Sequence, residues 1–177
     1  MKTLLTVVDM QNGFVNDATR HIVEGITTLI RKAEVEHIEI AFTRFINQPQ
    51  SGYVKWIRWS RLMSEPEITI IPELSNFAQH VFDKHGYTAF VEEFNLFVEQ
   101  RGIERILFCG VATDGCVLKS AVDAFERNIE PVVIHDACAS HAGVEVHEAG
   151  KLLLGRFIGK RQLWTVSDAL QRISFET

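Results

Sequence analysis

Four short, largely apolar runs constrain this chain more than any other feature: Leu4–Val8, Ile38–Thr43, Arg105–Cys109 and Pro131–His135. Runs of this kind suit strands covered on both faces, because a strand with one wet face alternates apolar and polar residues. His80–Phe82 and Gln162–Thr165 are two weaker strand candidates. Between the runs, apolar residues recur at helical spacing: Ile22, Ile26, Leu29, Ile30 and Ala33; Phe90, Phe94, Phe97 and Val98; Leu118, Ala121, Val122 and Phe125; Val146, Ala149, Leu153 and Phe157. Each set predicts an amphipathic helix with one buried stripe. Thr165 and Asp168 have capping-box spacing at the start of a last helix. Strands alternating with helices predict an α/β fold, a doubly wound parallel sheet with helices on both faces. The 177 residues are enough for one such domain, 1–177. The longest departure from the alternation is 47–71, where a short helix is expected around Tyr53–Met63 before a loop from Pro66 to Pro72.

Composition narrows the function classes. Eighteen Lys and Arg against 23 Asp and Glu leave a formal charge of −5, which argues against nucleic-acid binding, since phosphate neutralisation needs a basic surface. Three cysteines, Cys109, Cys116 and Cys138, do not form a disulfide framework and fit a reducing compartment. The first residues lack the apolar core and small cleavage-site residues of a signal peptide, and no run approaches the ~18 apolar residues that span a bilayer. The expectation is a cytoplasmic protein without a membrane segment.

In doubly wound sheets the ligand crevice lies outside the carboxyl ends of the strands. Three chemically capable residues follow strand candidates. Asp9 ends the first, Lys84 follows His80–Phe82, and Cys116 lies beyond Cys109 across the loop Gly110-Val111-Ala112-Thr113-Asp114-Gly115. Each also has an ordinary reading, as a turn residue, a solvated lysine and a small buried hydrophobe respectively. Together, at one sheet edge, they would supply a base, a cation and a nucleophile. A helix N-terminus and a neighbouring ammonium are both expected to lower the Cys116 pKa.

These segments resemble the isochorismatase-like cysteine hydrolases, the family that also contains nicotinamidases and carbamoyl amidases. The resemblance is carried, in order, by Val7-Val8-Asp9-Met10-Gln11-Asn12-Gly13-Phe14, Asp83-Lys84-His85-Gly86-Tyr87-Thr88-Ala89-Phe90, Gly110-Val111-Ala112-Thr113-Asp114-Gly115-Cys116-Val117 and His135-Asp136-Ala137-Cys138-Ala139-Ser140. It implies a six-stranded parallel sheet and a catalytic triad of Asp9, Lys84 and Cys116. It further implies a cis peptide between Val111 and Ala112, and an oxyanion hole from the backbone N–H groups of Ala112 and Cys116. The reaction implied is hydrolysis of a C–N amide, carbamoyl or ureido bond of a small molecule through a Cys116 thioester, by a chain that self-associates as a dimer or higher oligomer.

The chain departs from its relatives in two ways. Nicotinamidases carry an Asp-x-His metal motif after the second strand, where this chain reads Thr43-Arg44-Phe45-Ile46-Asn47-Gln48. Siderophore-type isochorismatases lack the nucleophilic cysteine. A metal-independent hydrolase with no cofactor is therefore expected. His135, His141 and His147 do not have the spacing of a helical zinc pair. Cys109 and Cys138 are expected to be packing residues. The substrate pocket is expected to draw on Gln11, Phe14, Tyr87, Phe90, Val111 and Arg44. Trp56 and Trp59, at i, i+3 in a segment rich in Lys and Arg, suit an interface or packing face better than a lid. The alternatives are a catalytically silent member that binds a metabolite or partner, and a nicotinamidase-like or isochorismatase-like hydrolase.

Overall fold

The computed structural model describes residues 1–173. Six strands form one sheet: β1 Thr3–Val8, β2 Glu39–Phe45, β3 Val81–Lys84, β4 Arg105–Val111, β5 Glu130–Ala139 and β6 Leu163–Trp164. They are all parallel, in the order β3-β2-β1-β4-β5-β6. The helices are α1 Val23–Val35, α2 Gly52–Lys55, α3 Pro72–Ser75, α4 Glu92–Arg101, α5 Leu118–Glu126, α6 Val144–Leu154 and α7 Val166–Ile173. None of them is long and apolar enough to cross a membrane.

Both faces of the sheet are covered, which is why its strands read as apolar runs. Leu5 and Val7 of β1 join Leu107, Val132 and Ile134 on one face, under Ile26, Leu29 and Ile30 of α1 and Ala169 of α7. Leu4 and Val8 join Ile106, Phe108 and Val133 on the other, under Phe94 and Phe97 of α4 and Ala121 of α5. Cys109 and Cys138 are buried in these cores, one on each face. α7 starts with the capping box: Thr165 N–H donates to Asp168 Oδ2 at 2.9 Å, and Asp168 N–H donates to Thr165 Oγ1 at 3.0 Å.

Three helical expectations fail. α2 is four residues long and ends at Lys55, so Trp56 and Trp59 share no helix face. In α6 the buried residues are Gly150 and Leu154, whereas Leu152, Leu153 and Phe157 are exposed. Glycine carries no hydropathy signal, so the apolar stripe drawn through Val146, Ala149, Leu153 and Phe157 ran along the wrong side. α6 is turned so that Gly150 can approach another backbone. Phe125, expected inside α5, is also exposed.

Sheet order reverses at β1, with later strands added on its other side, which opens a crevice between the carboxyl ends of β1 and β4. Close approach of these two ends requires glycine at Gly110. Its φ is +113°, and a Cβ there would lie 2.2 Å from the Val8 carbonyl oxygen. Gly110→Ala is expected to cost ~3 kcal/mol or more, because steric overlap with backbone cannot relax by side-chain rotation. Urea unfolding at constant m-value checks this.

Candidate active site

The crevice is built from three strand ends. β1 delivers Asp9, whose φ of +50° turns the chain sharply away from the sheet, a conformation Asp tolerates better than most residues. β3 ends on Lys84, paired with Phe45 of β2. β4 runs into a π-helical turn, Thr113–Val117, which holds Cys116 and continues into α5. The Val111–Ala112 peptide is cis.

Asp9, Lys84 and Cys116 meet beneath this turn, almost wholly withdrawn from solvent. Lys84 Nζ lies 2.8 Å from Asp9 Oδ2 and 3.2 Å from Cys116 Sγ. It also donates to the Gly86 carbonyl at 2.9 Å. Thr43 Oγ1 donates to Asp9 Oδ1 at 2.7 Å. Asp9 Oδ2 accepts no further hydrogen bond among the described residues, so it is the oxygen open to a proton. Burial by itself would lower the Lys84 pKa, but the charges of Asp9 and Cys116 outweigh it and hold the ammonium above its ordinary value.

Cys116 departs from expectation. Burial first, and the Asp9 carboxylate second, push its thiol pKa up, against the lowering influence of Lys84. The reason is charge counting. Asp9 and Lys84 already neutralise each other, so a thiolate would add an uncompensated buried charge. Moving the Cys116 proton to Asp9 conserves net charge.

Above Cys116 lies a cavity of about 200 Å³. Phe14, Phe45, Tyr53, Trp59 and Tyr87 wall it. Phe14 stacks on Trp59 with ring centroids 5.9 Å apart and planes 12° apart, and Tyr53 meets Tyr87 edge-on at 5.1 Å. His141 stands at the exposed rim, its ring 5.2 Å from Phe14. Of the residues expected in the pocket, Phe14 and Tyr87 line it and four do not. Gln11 is fully buried and fastens two loops, donating to the Phe45 and Ile68 carbonyls at 2.9 Å each and accepting from Phe45 N–H at 2.7 Å. Phe90 and Val111 lie in the cores. Arg44 is held by Asp83 of the neighbouring strand through two bonds of 2.7 and 2.8 Å.

The segment around α2 is a pocket wall. Tyr53, Ile57 and Trp59 face the cavity, whereas Trp56 is 84% exposed. The expectation of an interface or packing face is thus corrected for Trp59: a chain with positive φ at Arg58 and Leu62 follows no helical period, so spacing does not say which side chains turn to the cavity. Phe45 was findable, since it closes a strand at the crevice edge. Among the described residues no three His, Cys, Asp or Glu side chains are grouped so as to hold a metal ion.

Lys84→Met leaves Asp9 buried and unpaired, so it should cost ~3–5 kcal/mol in urea unfolding, and Asp9→Asn in the same chain should recover most of that loss. The sign of the pH dependence follows from the raised Lys84 pKa. The pair's contribution is complete below the ordinary lysine value of 10.5 and is lost as pH rises through the higher folded value. The wild-type unfolding midpoint should therefore fall more steeply above that pH than the midpoint of Lys84→Met.

Comparison with known proteins agrees with this architecture. The Isochorismatase domain family model matches residues 3–157. The ureidoacrylate amidohydrolase RutB of Acinetobacter baylyi is 25% identical over 193 aligned residues, covering 89% of this chain and 79% of that protein. A cysteine hydrolase structure from Pseudomonas syringae pv. phaseolicola superposes with a TM-score of 0.84 at 20% identity, covering 98% of this chain and 93% of that one. The N-carbamoylsarcosine amidase of Thermoplasma acidophilum superposes with a TM-score of 0.75 at 21% identity, covering 88% and 94%. With a family match over most of its length and the strand ends converging on one crevice, this chain belongs to the isochorismatase family of hydrolases.

Proposed function

We propose that the protein is a cysteine hydrolase that cleaves a C–N bond of a small carboxamide, carbamoyl or ureido compound, with Asp9, Lys84 and Cys116 as its catalytic residues. One observation carries this reading: Lys84 Nζ sits within 2.8 Å of a carboxylate and 3.2 Å of the thiol of Cys116, which lines the cavity. The reactivity of RutB, an amidohydrolase by name, is consistent with it.

Asp9 takes the Cys116 proton as the sulfur attacks the substrate carbonyl carbon. Proton transfer and attack belong together here, because a free thiolate is disfavoured at rest and its charge passes onward to the carbonyl oxygen. The Ala112 and Cys116 N–H groups receive that oxyanion. Hydrogen bonds from Gly115 N–H and Val117 N–H to the Ala112 carbonyl hold the turn on either side of Cys116. Removing an oxyanion donor typically costs ~10²–10³ in rate. Protonated Asp9 then gives its proton to the departing nitrogen as the C–N bond breaks, leaving a thioester and ammonia or an amine. Water, losing a proton to Asp9, attacks the thioester, and the acid leaves as Cys116 regains its proton. Lys84 remains an ammonium throughout and keeps the carboxylate and sulfur in register.

α6 braces the turn from behind. Thr113 Oγ1 and His147 Nδ1 are 2.8 Å apart, and a Cβ on Gly150 would lie 2.9 Å from the Asp114 Cα. Ala is the better helix former by ~1 kcal/mol, so Gly150→Ala should hold or raise helix stability locally while displacing the nucleophile turn. It is expected to lower kcat/KM about 10²-fold, because misplacement on the scale of 1 Å costs that much. An ammonia-release screen over small amides and ureido compounds tests the main reading. Cys116→Ala should fold as the wild type does and release nothing, and full activity in that variant would refute the mechanism. No turnover of any amide in that screen, with wild type and Cys116→Ala indistinguishable, would favour the silent binding member instead.

A further inference from the structure

The cavity has an unusual charge balance. Of the residues that line it, Asp114 alone carries a formal charge at neutral pH. Among the described residues its carboxylate is paired with no cation, and its electrostatic neighbours are Tyr87 and His141. Partial burial of the His141 ring lowers its pKa below the ordinary value, against the raising influence of Asp114. Three cations near the cavity are committed elsewhere, and Arg58, between Ile57 and Trp59, is exposed and does not line it. Lys84 is neutralised by Asp9 in the floor, Arg44 is bidentate with Asp83, and Arg61 donates to Glu67 at 2.8 Å. The remaining walls are mostly aromatic, with Ile57 and Ala112 among them, and the ring faces carry negative quadrupole potential.

Such a cavity repels a carboxylate and attracts a cation. We propose that the site selects small amides or carbamoyl compounds that bear a positive charge, and no carboxylate, beside the scissile carbonyl. The cation would be held among the aromatic faces with Asp114 as its counter-charge, while the carbonyl carbon points down at Cys116. This inference rests on the hydrolase reading and adds to it the charge of the substrate.

Three amides of matched size separate the possibilities: the carboxamide of trimethylglycine, its uncharged isostere 3,3-dimethylbutanamide, and malonamate. Ammonia release should give kcat/KM for the cationic amide about fivefold or more above its isostere, with malonamate lowest. A cationic substituent also activates the carbonyl chemically, so the decisive measurement is the same ratio in Asp114→Asn. Loss of the counter-charge should reduce the cationic-to-neutral ratio by about fivefold, whereas chemical activation would leave it unchanged. Protection of Cys116 against iodoacetamide by each amide, read by mass spectrometry, ranks binding independently of turnover and should follow the same order. Malonamate equal to or better than the cationic amide in both assays, or a ratio unaffected by Asp114→Asn, would overturn the charge selection while leaving the hydrolase reading intact. An inert Cys116 with no turnover of any amide would overturn both.

Discussion

The buried contact between Asp9 and Lys84 organises the rest of the site. Two opposite charges withdrawn from water are tolerable only when each is matched and hydrogen-bonded. The chain meets this requirement with groups from several strand ends. Thr43 of β2 bonds one carboxylate oxygen, Lys84 of β3 faces the other, and the Gly86 carbonyl takes a further ammonium proton. Because the pair is neutral as a whole, a third ionisable group beside it is held in its uncharged form. That is why a lysine 3.2 Å from the sulfur does not suffice to make Cys116 a thiolate. In the mechanism proposed, the same constraint is useful: the nucleophile is exposed only as its proton moves to Asp9, so charge never accumulates in the floor.

Glycine positions translate this local requirement into backbone architecture. Gly110 lets β4 lie against the end of β1, bringing the nucleophile turn over Asp9. Gly150 lets α6 press on the same turn from the opposite side. The turn is thus pinned between a strand end and a helix. In the mechanism proposed, its rigidity would serve oxyanion stabilisation, which depends on donors fixed before charge develops. α6 exposes Leu152 and Leu153 as a consequence of directing Gly150 inward.

The wall above the triad obeys a different logic. It is made by a segment with little regular structure, held by Gln11, which bonds to both the β2 end and the Ile68 carbonyl. Side chains there are free to vary without disturbing the sheet, which suits a region that would choose the substrate on a shared scaffold. In this chain that wall carries stacked aromatics and one acidic rim residue, with Arg44 and Arg61 paired to carboxylates.

The sequence by itself determined the sheet, its six strands and the residues at their ends. Doubly covered strands must be apolar along their length, and right-handed crossovers leave few ways to join them. Asp9, Lys84 and Cys116 were legible for the same reason, as polar residues placed where apolar runs stop. Tertiary structure alone decided which neighbours they meet and with what electrostatic result. The upward push on the Cys116 pKa depends on burial and on Asp9, which is distant in sequence. Arg44 seemed available to a substrate until β3 placed Asp83 beside it. Phe90 and Val111 looked like pocket residues because they flank motifs, yet their direction depends on the pitch of the elements that carry them. Tyr53 and Trp59 come from a segment without periodicity, so only the folded chain could bring them over the sulfur.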